Sequence, residues 1–266
     1  MTETKVPSGR QFGNGPRVLL AIHCTLAHAG AWQSVARELP QDFTVMAYDL
    51  PHHGQNDVLG ATTDIQDASV SLALPFMTSP VDLVGHSFGA TVALRLALEH
   101  PEKVRSLCLI EPVFFAVAKE DDPIGYAQHV ETEAPCHAAM QDGDRERAAR
   151  LFHKEWGDGR QWETLSHQVR RYMIDRIHVV LKQKTSIVDD HARLLAAGRC
   201  EELDIPTLLL EGEQSPDIVR TINSGLLKRL PNAQRSVVKG AAHMAPLTHP
   251  GIVAGIMVAF LEMTEK

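Results

Sequence analysis

Six short apolar runs punctuate the chain without alternating with polar residues. They are VLLAI (18–22), FTVMAY (43–48), VDLVG (81–85), VRSLCLI (104–110), PTLLLEG (206–212) and AQRSVVK (233–239). A strand that is apolar on both faces must be covered on both, and a parallel sheet flanked by helices provides that cover. Between the third and fourth runs, ATVALRLALEH (90–100) repeats its apolar residues at helical spacing and stops at Pro101. Strands alternating with helices predict an α/β fold with a mostly parallel central sheet. At 266 residues, 44% hydrophobic and 22% charged, the chain has enough material for one such core carrying an insertion.

The alternation breaks once. Between Glu111 and Leu203 no strand-like run occurs, and the pattern instead predicts helices over 124–140, 144–155, 161–182 and 187–197. A helical stretch that long exceeds a simple crossover. The expected organisation is therefore a core of residues 1–112 and 203–266, with residues 113–202 inserted as a helical cap.

Charge excludes some partners. The formal net charge is -7, and the basic residues are scattered rather than clustered as a nucleic-acid surface requires. The densest run, Arg145 to Arg150, is interleaved with acids and reads as a solvated helix face. No stretch of about 18 apolar residues occurs, so no membrane span is expected. The opening MTETKVPSGRQFGNGP has no signal-peptide core, which makes a cytoplasmic protein the expectation. Cys24, Cys108, Cys136 and Cys200 lie far apart, with Cys24 and Cys108 read as reduced core residues. His52 and His53 lack ligand spacing and partnering carboxylates, so neither a metal nor another cofactor is expected. With His28 and His249 they are read as solvated or capping loop histidines. The expected partner is a small-molecule substrate, with the oligomeric state left open.

The third apolar run ends in Gly85-His86-Ser87-Phe88-Gly89, and a helical pattern begins at once. A G-x-S-x-G sequence between a strand and a helix forms a tight turn that lifts its serine above the sheet edge. Serine is weakly nucleophilic at neutral pH and needs a base within hydrogen-bond reach. Among the 14 histidines, His243 follows the last apolar run in Gly240-Ala241-Ala242-His243, at the same sheet edge.

With these motifs the chain resembles the α/β-hydrolase family over nearly its whole length. VLLAIHCTLAHAGAW is similar to the family's first core strand and His-Gly-x loop. AYDLPHHGQND resembles the turn after the next strand, and VKGAAHMAPLTHP the loop of the catalytic histidine. Cys24 and His52 stand where the family usually has glycine, and the N-terminus is too short for the usual leading strand pair, which predicts a reduced sheet. The resemblance implies an esterase-like serine hydrolase, with Ser87 as nucleophile and His243 as base. The oxyanion would bind the N–H groups of Phe88 and Thr25, with Leu26 and Met244 beside the substrate.

The family's usual acid position, in a Gly-x-x-Asp turn after the cap, is here Gly212-Glu213-Gln214-Ser215. A hydroxyl cannot stabilise an imidazolium as a carboxylate does. Glu111 ends the strand next to the nucleophile's, and carboxyl ends of neighbouring parallel strands share one crevice. Glu111 is the expected acid, with Asp217 and Glu213 as alternatives. Trp156, Trp162, Tyr172, Met173, Phe114 and Phe115 are candidates for an apolar pocket wall. A serine nucleophile implies an acyl-enzyme, and the wall candidates taken together favour small to medium, mostly apolar carboxylic esters as its source. Lactone or carbon–carbon bond hydrolysis by the same residues is the alternative, and a non-catalytic ligand-binding protein on this fold a remote one.

Overall fold

All six apolar runs become strands of one sheet, in a computed structural model that describes residues 9–56 and 64–264. Asp57, the last residue of the AYDLPHHGQND motif, lies outside the described residues. A seventh strand, β1 (Gly9–Phe12), precedes β2 (Arg17–Ile22), β3 (Phe43–Tyr48), β4 (Val81–His86), β5 (Val104–Ile110), β6 (Thr207–Gly212) and β7 (Ala233–Val238). Their order across the sheet is β1-β3-β2-β4-β5-β6-β7. β1 runs antiparallel to β3, and every other pairing is parallel. β1 is a short edge strand, GRQF, with three exposed residues, so it carries no apolar signal. It stands alone where the leading pair was expected to be reduced.

Alternate residues of each central strand serve opposite faces. Leu20, Ile22, Leu107 and Leu109 join one buried cluster with Leu94, Val219 and Leu226, beneath α2 (Ile65–Ala73), α3 (Phe88–Glu99) and α10 (Asp217–Arg229). Leu19, Ala21, Cys108 and Ile110 join another with Val35, Val253, Met257 and Phe260, beneath α1 (Gln33–Glu38) and α12 (Pro250–Met263). Period-two strands buried on both sides give the unbroken apolar runs of the sequence.

Between β5 and β6 lie α4 (Phe115–Asp121), α5 (Pro123–Gln141), α6 (Arg145–Trp156), α7 (His167–Arg176), α8 (Val179–Lys182) and α9 (Lys184–Ile187), and after β7 comes the short α11 (Ala245–Thr248). The expected helices 124–140 and 144–155 form within a residue or two. The one expected over 161–182 does not: Trp162–Thr164 makes a 3₁₀ turn, and Ser166 starts α7 afresh by accepting from Val169 N–H. The stretch 187–197 is mostly turns. There the Asp190 carboxylate accepts from the N–H groups of Leu194 and Leu195, and Asp190 and Arg193 take positive φ. Such local side-chain bonds compete with helix formation.

At the amino edge of the sheet Asp82, fully buried in β4, is clasped by Arg17 Nε at 2.6 Å, by Arg105 Nε and Nη2 at 3.0 Å, and by Ser106 Oγ at 2.7 Å. Burial alone would raise this carboxyl, but the hydrogen bonds from Arg17, Arg105 and Ser106 outweigh it and hold the group below the usual carboxylate range. Arg17 also reaches the carbonyl of Leu261 at 3.1 Å, which ties α12 to the sheet. Removing one partner of a buried ion pair leaves the other uncompensated. Asp82→Asn should therefore cost about 3–5 kcal/mol in urea unfolding, while catalytic turnover per folded molecule stays unchanged.

Candidate active site

β4 ends at His86, and Ser87 sits one rung further at φ 57° and ψ -120°, a backbone region that L-residues avoid. Its N–H donates to Ile110 O at 2.9 Å, so the turn is still held to β5. The flanking glycines are required by contact. A Cβ on Gly85 would collide with the carbonyl of Gly89, and one on Gly89 with the carbonyls of Ile22 and His23. Phe88 opens α3, where the first four N–H groups of a helix have no intrahelical acceptor. Phe88 has no exposed surface, and its ring packs into the main core.

Glu111 occupies the matching place on β5. It lies one rung past Ile110, at φ 53°, with its N–H donating to Leu210 O at 2.8 Å. Its carboxyl group has no exposed surface. Oε1 accepts from Gly212 N–H and from Ser215 Oγ at 2.6 Å, and Oε2 lies 3.0 Å from His243 Nδ1. His243 Nε2 lies in turn 3.0 Å from Ser87 Oγ. The structure thus brings Ser87, His243 and Glu111 into one hydrogen-bonded chain. Asp217 and Glu213 are excluded from it. Asp217 is exposed in the first turn of α10, and Glu213 faces outward to accept from Gly240 N–H. Ser215, which in the sequence marks only a missing acid, donates to Glu111.

The loop carrying His243 is fixed by the residue before Ser87. His86 Nε2 lies 2.8 Å from the carbonyl of His243, and burial, with the neighbouring His243 adding to it, lowers the His86 pKa to about 3. The ring is therefore neutral, and Nε2 carries the proton it donates.

The loop after β2 holds the other oxyanion candidate. Thr25 Oγ1 bonds the amide of Gln183. Leu26, at φ 61°, donates its N–H to His53 Nε2 at 3.0 Å, and Ala27 O accepts from Tyr172 Oη at 2.7 Å. The expectation that His53 is a solvated or capping loop residue is overturned: it has no exposed surface. His53 Nδ1 donates to Pro51 O at 2.8 Å, and burial, with His23 next in effect, keeps the ring far below the usual histidine range. His23 behaves alike, with Nδ1 on Cys24 O at 2.7 Å, Nε2 accepting from Leu50 N–H at 3.0 Å, and a pKa lowered to about 3 by burial. A histidine on a polar loop has no sequence signal for burial; two histidines facing each other across the β2 and β3 loops become evident only in three dimensions. His28 is a cap, as expected, accepting from Gly30 N–H.

Ser87 and His243 open into a cavity of about 550 Å³, a size that suits a small organic ligand. Thr25, Leu26, Met244, Trp156, Tyr172 and Met173 lie on its wall. Trp162 packs instead with Ala139, Leu165 and Ile177, and Phe114 is sealed in the main core. Among the described residues, Asp64, Asp67 and His191 form a possible cation cluster with ligand atoms within 4.8 Å. Its carboxylates already accept from Gln66 N–H, Thr185 and Arg95.

Residues 18–256 match the Alpha/beta hydrolase family. The chain belongs to that family. This hydrolase is 30% identical over 250 residues to a pimeloyl-[acyl-carrier protein] methyl ester esterase of Neisseria meningitidis, covering 91% of this chain and 75% of that one. It is 22% identical to an (E)-2-((N-methylformamido)methylene)succinate hydrolase of Acinetobacter baylyi, covering 92% and 90%. In fold it is similar to MenH from S. aureus, with a TM-score of 0.73 at 17% identity, covering 97% of this chain and 99% of that one.

One wall of the hydrolase site carries its own buried acid. The Trp156 ring stands edge to face against His243, centroids 4.7 Å apart, and its Nε1–H donates to Glu133 Oε1 on α5 at 3.0 Å. Burial pushes the Glu133 carboxyl up to about 7 from 4.5, against the opposing effect of the Trp156 bond. Between those two values the folded protein holds a proton that the unfolded chain has lost, so stability falls as pH rises through this window. Glu133→Gln keeps the acceptor and removes the titration. Its stability relative to the unsubstituted protein should improve by up to about 3 kcal/mol from pH 4.5 to above pH 7, read by urea unfolding at both ends.

Proposed function

We propose that this hydrolase is a serine carboxylesterase in which Ser87 is the nucleophile, His243 the base and Glu111 the acid. The chain of 3.0 Å contacts Glu111 Oε2–His243 Nδ1 and His243 Nε2–Ser87 Oγ, at the floor of the cavity, carries this reading. His243 Nε2 takes the Ser87 proton as Oγ attacks the ester carbonyl carbon. The resulting oxyanion lies against the N–H groups of Phe88 and Thr25, donors that act before any reorganisation is needed. Collapse expels the alcohol, protonated by His243, and leaves an acyl-Ser87 ester. Water, activated by the same imidazole, then releases the acid and frees Ser87. Glu111 holds the Nδ1–H tautomer and balances the imidazolium.

The helical segment between β5 and β6 acts as the cap. Leu26, Met173, Met244 and Trp156 give the cavity an apolar wall, which favours a small to medium apolar acyl group. An ester substrate is further supported by the methyl ester esterase of Neisseria meningitidis, similar to this chain over 91% of its length.

A fluorophosphonate should add one adduct to the protein by intact mass and none to Ser87→Ala; equal labelling would remove Ser87 from the mechanism. Aryl esters of increasing acyl length, tested beside lactones, should show the esters turning over faster, and faster lactone turnover would reassign the substrate. Glu111→Gln keeps the shape and should lower kcat by about two to four orders of magnitude. Asp217→Asn should cost less than about tenfold, a surface acid having no part in the chain. If the two effects are reversed, the acid is not Glu111.

A further inference from the structure

Residues 24–27 form a loop whose own backbone contributes the bond from Ala27 N–H to Cys24 O at 3.2 Å. Leu26 within it sits at φ 61°, where a leucine side chain is strained. Such a conformation persists only when the surroundings hold it. Here three successive residues are held by three different outside groups. Thr25 Oγ1 lies 3.0 Å from Gln183 Oε1 and 2.9 Å from Gln183 Nε2, Leu26 N–H is held by His53, and Ala27 O by the Tyr172 hydroxyl. Two of the three, Gln183 and Tyr172, belong to the cap. Gln183 is buried between α8 and α9, and Tyr172 also accepts from Gly54 N–H at 2.9 Å, joining the β2 and β3 loops beneath α7.

We infer that Gln183 and Tyr172 are positioning residues for the oxyanion hole, so that seating the cap and aligning the Thr25 N–H are one event. The inference rests on the proposed serine mechanism and goes beyond it by giving the cap a part in rate as well as in selectivity. An aligned donor acts on the tetrahedral state and little on the bound ester, because the oxyanion forms only after attack. Loosening the loop should therefore lower kcat and leave KM almost unchanged. A residue that merely walls the pocket would do the reverse, raising KM. A bulky substrate that lifts the cap would also lose rate as well as affinity, since lids often complete the catalytic constellation.

The test compares Gln183→Met and Tyr172→Phe, which keep most of the volume and remove the bonds, with Met173→Leu, a cavity residue on α7 that makes no hydrogen bond to the loop. Thermal melts establish that each variant folds, and Tyr172→Phe alone carries the test if Gln183→Met does not fold. With a p-nitrophenyl ester, each bond-removing variant should lose roughly tenfold in kcat, less than the hundredfold or more of a deleted oxyanion donor, with KM within about threefold. Inhibition by an aryl trifluoromethyl ketone, which forms a tetrahedral adduct with the serine, should weaken by the same factor as kcat/KM. Inhibition by the product acid should not change, and Met173→Leu should alter KM more than kcat. Unchanged kcat in the folded variants, or a rise in KM alone, overturns the inference. Fluorophosphonate labelling of the unsubstituted protein separates the two failures. If Ser87 labels and Ser87→Ala is inactive while the variants are unaffected, the positioning role fails and the serine mechanism stands. If Ser87→Ala keeps its turnover, the serine mechanism fails and takes the positioning role with it.

Discussion

A carboxyl group with no exposed surface needs hydrogen-bond partners for both oxygens, and Glu111 finds its carboxylate's partners at the ends of the two strands that follow it across the sheet. Gly212 N–H and the Ser215 hydroxyl come from the end of β6, and the His243 imidazole from the loop after β7. Losing any one leaves a buried acceptor short of a donor, at a cost of about 1–3 kcal/mol. These bonds fasten three consecutive strand ends to one point. The site is therefore built from the ends of adjacent parallel strands, and its precision derives from the ladder beneath it. Ser87 and Glu111 each remain bonded to the neighbouring strand one rung beyond the last paired residue.

Backbone strain collects at the same edge. Of the six non-glycine residues with positive φ among those described, Leu26, His52, Ser87 and Glu111 lie on the loops that leave β2, β3, β4 and β5. Each costs of order 1–3 kcal/mol, and the well-packed layers on both faces of the sheet supply the stability that offsets it. The amino edge works differently. There Asp82, Arg17, Arg105 and Ser106 form a compact ionic clasp with no part in the chemistry. One edge of the sheet is rigidified by charge, and the other is kept strained for use.

How much of this the sequence shows follows from physical range. Strands β2 to β6 were legible because burial on both faces writes an unbroken apolar run. The edge strand β7 is fully buried only at Val238, and β1 was not legible, because an edge strand of GRQF buries almost nothing. The Gly-His-Ser-Phe-Gly turn was legible because its glycines answer local collisions. The place of Glu111 beside His243 followed from the crevice that adjacent parallel strands share, a rule that needs only strand order. The turns after residue 187 were not legible, since Asp190 caps nearby N–H groups in a stretch whose composition also suits a helix. His53 was misread for a similar reason: its burial depends on His23 and on the Leu26 N–H, both far away in the chain. The bonds from Gln183 and Tyr172 to the loop after β2 are longer-range still, spanning 158 and 145 residues.

Ser215 bears on the charge that faces His243. Its hydroxyl lies 2.6 Å from Glu111. A carboxyl group at 215 beside the one at 111 would put two acids in contact in a buried space, where they cannot both ionise and must share a proton. An imidazole facing that shared proton would lose part of the charge that orients it. Ser215 is instead a neutral donor, so Glu111 is the one carboxylate that His243 Nδ1 meets, and the field along the imidazole has a single source.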